Sequence, residues 1–355
     1  MKRVIVTGAG GSKALNFVKS LRMAPEKLYI VGTDSSKYHI ELSNCDEKYL
    51  IPPYHSEGYI HALNRVIEAE DIGMVCPCPT VEVETISARR DRVNARLFLP
   101  RHDTITLCND KYGLSRRLEA QGIPVPESYM IDSVEDLEEH LPRLLQKHSS
   151  HAWLRAIRGS GSKAALPIRD VEIADAWIRY WNWKNQIGYG DFMLSEYLPG
   201  KEFAFQSLWR NGELLTSQAR ERLEYLFGDL TASGQSSSYV VGKTVHDDRV
   251  NQACTQTIEA VDGKADGVFC VDLKEDSKGF PRITEVNAGR FFTTNNFLSE
   301  AGSNMPYYYV KLGYGEEILG LPKYNAVPAG WYWIRVMDGG HKLLRGEKWT
   351  CKTLG

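Results

Sequence analysis

The sequence predicts an α/β protein of 355 residues, with a parallel-sheet domain first and α+β units after it. Two observations carry that expectation. Residues 1–100 alternate short β-rich runs with stretches of helical apolar spacing, the pattern of βαβ units on a parallel sheet. From Asn109 onward the texture changes to longer strands, hairpins and isolated helices. At roughly 100–200 residues per domain the length suits two or three domains. Apolar (43%) and charged (25%) fractions are those of an ordinary globular chain, so wholesale disorder is out.

Taken in order, Arg3–Thr7 reads as a strand, Ala14–Leu21 as a helix, Leu28–Thr33 as a strand and Tyr59–Ala69 as a helix. Gly73–Cys76 is a third strand, Val81–Ala95 a charged helix, and Arg96–Leu99 closes the region. A helix from Asn109 to Gln121 stops at Gly122-Ile123-Pro124, a glycine followed by a proline. A compact unit follows: a strand, helix Val134–Lys147, strand Trp153–Ala156, a glycine loop, a strand Ala164–Ile168, helix Asp170–Trp183 and strand Phe192–Tyr197. Beyond Pro199-Gly200 come strands 202–210 and 213–222, a helix over 248–261 and a hairpin from Val268 to Val286. The tail from 322 holds a single strand, Trp331–Val336. These elements divide the chain at 1–108, 109–200, 201–320 and 321–355.

Charge and cysteine usage narrow the function. Net charge is −2 with both signs dispersed, which argues against a protein living on nucleic-acid phosphates or an anionic membrane surface. No run of 18 apolar residues occurs, and Val4-Ile5-Val6 after Lys2-Arg3 is too short for a signal peptide. The seven cysteines are scattered, with Cys76 and Cys78 the closest, so neither a disulfide framework nor a zinc site is expected. These features predict a reduced, cytoplasmic protein.

Two glycine motifs are decoys. Gly8-Ala9-Gly10-Gly11 follows a strand, and Asp34 ends the next one, as in a Rossmann-like dinucleotide fold; but Lys13 occupies the fingerprint's last small-residue position. The turn remains able to hold an anion at the helix start. Gly242-Lys243-Thr244 imitates a P-loop ending, yet it is entered from a β-rich run and Ser237 replaces the first glycine.

Three segments point elsewhere. Arg158-Gly159-Ser160-Gly161-Ser162-Lys163 lies between a strand holding Arg155 and another strand, and its amides, hydroxyls and cations suit phosphate, although a solvated turn has the same composition. Glu196-Tyr197-Leu198 and Glu202 surround a strand-to-turn passage that offers acceptors for a purine amino group and a ribose. In the hairpin, Glu285 and Asn287 leave one face of a strand, and pairing of Asp272 with Ile283 would put Asp272 on that face too. Three oxygen donors suit Mg²⁺, with water and phosphate completing its shell. Arg290 follows, and Arg220, Arg222 and the Thr231–Ser238 loop are expected on the acceptor side.

In chain order these pieces resemble the ATP-grasp superfamily, in particular the branch similar to the carbamoyl phosphate synthase large subunit. The resemblance covers about residues 1–315. It includes Asp46-Glu47-Lys48-Tyr49 before Ile51-Pro52, and Asn109-Asp110-Lys111 followed by Gly122-Ile123-Pro124. It implies a Rossmann-like domain followed by an ATP-grasp fold of two α+β subdomains, residues 125–200 being a lid. It further implies ATP and a pair of Mg²⁺ ions, with Mn²⁺ an alternative metal, and a carboxylate–amine ligase working through an acyl phosphate. Lys111, Arg155, Ser160, Gly161, Ser162, Glu196, Tyr197, Leu198 and Glu202 would bind the nucleotide. Asp272, Glu285 and Asn287 would bind the metal, and Arg290, Arg222 and Lys163 would act in catalysis. Gly289 stands where the family usually places its arginine, one residue before Arg290. Partners would be a small carboxylate and an amine, with a homodimer compatible. Bicarbonate chemistry and a silent nucleotide-binding protein remain the alternatives.

Overall fold

The computed structural model describes residues 1–148, 151–159, 164–234, 239–337 and 339–346. The parallel domain forms as the alternation predicts. It contains β1 (Arg3–Thr7), α1 (Ser12–Arg22), β2 (Tyr29–Asp34), β3 (Glu47–Leu50), α2 (Tyr59–Ala69), β4 (Met74–Cys76) and α3 (Thr80–Ala88). The sheet order is β3-β2-β1-β4, every pairing parallel. Val4, Ile5 and Val6 are fully buried, as a central parallel strand covered on both faces requires. The expected helix Val81–Ala95 is shorter than its charge pattern suggested and gives way to a 3₁₀ turn at Arg90–Arg92.

The expected single helix from Asn109 is two helices, α4 (His102–Asn109) and α5 (Lys111–Glu119). Asp110 breaks them: its backbone is extended and its carboxylate accepts from the Gly113 N–H, capping the second helix. Next come β5 (Ser128–Ile131), α6 (Val134–Lys147), β6 (Ala152–Ala156), β7 (Leu166–Ile168), α7 (Val171–Asn185) and β8 (Phe192–Glu196). Their four-stranded antiparallel sheet, β5-β8-β6-β7, closes over a core of its own that includes Leu137, Leu141, Leu154, Ile178 and Phe192. The strand anticipated from Ala164 begins only at Leu166, since Ala164 adopts a left-handed backbone (φ 60°).

The rest is β9 (Glu202–Arg210), β10 (Glu213–Tyr225), β11 (Tyr239–Val245), α8 (Asp248–Val261), β12 (Gly267–Glu275), β13 (Pro281–Ala288), α9 (Asn296–Glu300), α10 (Met305–Gly313), β14 (Trp331–Val336) and β15 (Gly340–Arg345). The tail therefore holds two strands, not one. The Gly339-Gly340 turn folds β15 back on β14, and β14 joins β11, completing a seven-stranded sheet ordered β13-β12-β9-β10-β11-β14-β15. One hydrophobic core runs from the parallel sheet (Ile5, Val31, Val75) through α2–α5 to the large sheet (Phe205, Phe269, Val286). That shared core fixes the parallel domain against the large sheet. The four-stranded unit packs mainly on itself.

Candidate active site

A cleft of about 600 Å³ lies where the three sheets meet. Its walls come from the start of α1, from α5, β6 and the end of β8, and from β10, β12, β13 and the segment after them.

The hairpin carries the acidic face. Asp272 pairs directly with Glu285, not with Ile283 as the sequence suggested. A β-bulge explains the shift: the register skips Thr284, so Leu273 opposes Ile283 while Asp272 opposes Glu285. The side chains of Leu273 and Ile283 then turn into the core, and those of Asp272, Glu285 and Asn287 line the cleft. Thr284 is tied in both directions. Its hydroxyl donates to the Asp272 carbonyl (3.0 Å), and its own carbonyl accepts from Arg155 Nη2 (3.1 Å). Asn287 Nδ2 donates to Asp272 Oδ2 at 3.0 Å, and Arg222 Nη2 and Arg290 Nη2 donate to Asp272 and to Asn287 Oδ1.

Cations crowd this face. Burial favours the neutral form of Glu285, but Lys111, Arg290 and Arg155 outweigh it and hold the carboxyl below its usual range. Asp272 is pushed the other way, by burial and by Glu285 across the hairpin, against the pull of Arg222. Lys111 opens α5, where its Nζ donates to the Gly159 carbonyl at 2.7 Å. Burial lowers its pKa, with Glu285 opposing. Arg155, Arg222 and Arg290 each leave Nε without an acceptor among the described residues, so this cluster has hydrogen bonds still to give.

At the other end, Glu196, Tyr197 and Leu198 line the cleft as β8 leaves its sheet. Glu196 is buried, its Oε1 3.3 Å from His148 Nδ1. Glu202 lines the cleft opposite Arg222 in the β9–β10 pairing and is bridged by Lys274 (2.8 Å) and Tyr225. Ser160, Gly161, Ser162 and Lys163 lie outside the described residues, though Arg158 and Gly159 before them reach the cleft.

The structure thus brings together Lys111, Arg155, Glu196, Tyr197, Leu198, Glu202, Arg222, Asp272, Glu285, Asn287 and Arg290 around one cleft. Arg220 departs from expectation. It is fully buried behind the wall, between the Phe292 and Tyr239 rings, with Nη1 on the Thr294 carbonyl at 3.3 Å. Arg335 and Lys13 are among the lining residues that the sequence reading did not place at the site. Arg335 arrives on β14, far along the chain, and its only cue is the basic residue in an apolar strand. Lys13, read there merely as a bulky obstacle, lines the cleft from α1.

The dinucleotide reading fails on geometry. Asp34 is spent on the turn itself, accepting from Gly10 N (2.9 Å) and Ser36 N (2.8 Å). Gly242-Lys243-Thr244 is the middle of β11, paired on both sides, which leaves no amide loop for phosphate.

The fold is the ATP-grasp fold. Residues 189–329 match the model of a family described as ATP-grasp in the biosynthetic pathway with Ter operon. Among solved structures, the biotin carboxylase domain of Hydrogenobacter thermophilus 2-oxoglutarate carboxylase is 16% identical, with a TM-score of 0.69 over 94% of this chain and 73% of that one. An L-amino acid ligase from Bacillus licheniformis is 14% identical, with a TM-score of 0.67 over 94% and 79%. N5-carboxyaminoimidazole synthetase from Staphylococcus aureus is 12% identical, with a TM-score of 0.68 over 94% and 82%. At these identities the likeness is one of fold. No helix among the described residues is long and apolar enough to cross a membrane.

Proposed function

We propose that this protein is an ATP- and Mg²⁺-dependent ligase that activates a carboxylate as an acyl phosphate and joins it to an amine. The observation that carries the reading is the facing pair Asp272 and Glu285 in a cleft that also gathers Lys111, Arg155 and Arg290. Such a mixture of oxygen donors and cations suits a polyphosphate with its metal. Similar structures described with ADP, magnesium and bicarbonate, and an amino acid ligase of the same fold, support it.

The donor set fits Mg²⁺. Two carboxylates and the Asn287 amide oxygen share one face, and among the described residues no third acid or histidine joins them, so water and phosphate would fill the remaining positions. Bound there, the metal would neutralise phosphate charge. Lys111 and Arg155 would clamp the phosphates, assisted on sequence grounds by 160–163. Glu196, Tyr197 and Leu198 would take the base, and Glu202 the ribose. A carboxylate oxygen attacks the γ-phosphorus and ADP departs; an amine then attacks the acyl carbon, inorganic phosphate leaves and the amine loses a proton. Arg290, with its Nε unspent, would stabilise the oxyanion formed in the second step. The unit over 125–200, with its own core, would act as the lid that keeps water from the acyl phosphate.

Incubation with Mg²⁺-ATP, hydroxylamine and a panel of acids, amino acids first, tests this. Hydroxamate together with ADP is expected. ADP release that needs bicarbonate and ignores every organic acid would replace this reading with carboxyphosphate chemistry, and nucleotide binding without turnover would mean a silent binder.

A further inference from the structure

Glu196 lines the cleft at its proposed base end yet is only 8% exposed, so most of its carboxylate is met from inside the protein. The groups that meet it come from the junction of α6, β5 and β8. Glu196 N donates to the Glu127 carbonyl (2.8 Å), and Glu127 N reaches back to Glu196 Oε2 (3.4 Å). His148 closes α6 with its N–H on the Leu144 carbonyl (3.0 Å), and its ring lies across the same junction. Nε2 is 2.8 Å from Glu127 Oε2, and Nδ1 is 3.3 Å from Glu196 Oε1. Neither His148 nor Glu127 has a role in the nucleotide reading above.

An imidazole with a carboxylate at each nitrogen has a definite proton requirement. Glu127 also takes Lys147 on Oε2 and the Tyr129 hydroxyl on Oε1, with Arg143 Nε 3.7 Å away. Burial disfavours its ionised form, but Lys147, Tyr129 and His148 outweigh burial and bring the carboxyl down to about 2. The Nε2 that faces it is therefore an N–H. A neutral ring would then turn the bare Nδ1 lone pair on Glu196 Oε1, two acceptors in contact. The pair attracts only with a proton between Nδ1 and Oε1, and a ring with an N–H for each carboxylate supplies it. So held, Glu196 uses one lone pair of Oε1 on the ring and one of Oε2 on the Glu127 N–H. Each oxygen keeps a second lone pair.

We propose that His148 is a positioning residue for the nucleotide base: its Nδ1–H fixes the Glu196 carboxylate as an acceptor at the cleft, and this selects a purine with a 6-amino group over one with a 6-oxo group. The proposal rests on the reading of Glu196 as a base-binding residue. A 6-amino group donates to the carboxylate, whereas a 6-oxo group sets oxygen against oxygen. His148 does not touch the base. It acts through Glu196, whose carboxylate would otherwise be held by the long Glu127 N–H contact and free to turn from the base.

Equilibrium binding of Mg²⁺-ADP and Mg²⁺-GDP to the whole chain, measured by calorimetry, tests this in wild type, His148→Gln and His148→Asn. The two amides separate the two contacts of the ring, because a glutamine amide nitrogen stands nearest the position of Nε2 and an asparagine amide nitrogen nearest that of Nδ1. Wild type should prefer ADP. H148Q keeps the donor to Glu127 and loses the one to Glu196, so its preference for ADP over GDP should fall about tenfold, the effect of one hydrogen bond to a charged group. H148N keeps the donor to Glu196 and should hold most of the preference. A role confined to tying α6 to β5 predicts the reverse order. An unchanged preference in H148Q, an equal loss in both variants, or no preference in wild type overturns the proposal. Wild type binding neither nucleotide sinks the nucleotide reading itself, and the proposal falls with it. Should the variants not fold, ¹⁵N spectra of the wild-type histidine rings with Mg²⁺-ADP bound decide the point: His148 should carry a proton on both nitrogens, and a bare Nδ1 overturns the proposal.

Discussion

Asp272 and Glu285 face each other across β12 and β13, side by side on the cleft, because a bulge at Thr284 moves the pairing by one residue. Two carboxylates in that relation repel unless a cation stands between or around them. Glu285→Gln removes one negative charge at nearly constant shape. It should weaken Mg²⁺ binding by at least about tenfold, a loss seen even when groups behind metal ligands are removed. Mg²⁺ titration in the presence of ADP reads this directly, and unchanged metal affinity would discard the hairpin as the metal face.

Arg155 and Lys111 should matter to nucleotide more than to folding. Arg155 also joins the lid sheet to the hairpin through the Thr284 carbonyl, and Lys111 holds the Gly159 carbonyl. Alanine at either position should raise the ADP dissociation constant by about 10–100-fold, the range for lost hydrogen bonds to charged groups. Fluorescence titration with a labelled nucleotide measures it. Normal affinity in both variants would remove the proposed clamp.

How far this could be seen in the sequence depends on what each feature needs. Glu285 and Asn287 share a face by strand alternation alone, so that much was legible. The partner of Asp272 was not, since a bulge depends on the register of two strands and leaves no periodic trace. Arg220 and Arg222 are two apart on β10 and looked equivalent; both lie over the Phe292 and Tyr239 rings, but Arg222 reaches Asp272 in the cleft while Arg220 is fully buried on the Thr294 carbonyl. Lys13 was judged only against a fingerprint that wants a small residue. Its place in the cleft wall comes from the packing of α1 on residues 293–295, which no local pattern encodes. The β14–β15 hairpin, by contrast, was written in Gly339-Gly340 and could have been read.

Gly212 gives a test of the scaffold. Asn211 and Gly212 turn β9 into β10 with φ of 51° and 82°, the positive pair of a tight hairpin. A β-carbon on Gly212 would stand 2.4 Å from the Gly263 carbonyl oxygen. Gly212→Ala should cost about 1–3 kcal/mol or more through backbone strain and that contact. Urea denaturation with an unchanged m-value is the expected signature, and a shift below about 0.5 kcal/mol would contradict it.

Lys13 gives the last prediction, which concerns pH. Burial first and Arg290 second, against the pull of Cys78, Glu285 and Cys270, lower its pKa from the ordinary 10.5 to about 7. Between those two values the unfolded chain binds a proton at this site that the folded chain does not. Stability therefore rises with pH across the window from about 7 to 10.5, and below about 7 the folded protein carries a buried ammonium at full cost. Lys13→Met keeps the length of the side chain and removes the charge. Without metal or nucleotide it should be more stable than wild type at pH 6, and this advantage should shrink steadily above pH 7. Thermal melting of both proteins at pH 6, 7.5 and 9 separates this from simple packing, because a gain from better packing would be the same at every pH. A constant difference, or one that grows with pH, would show that Lys13 is well solvated in the folded chain.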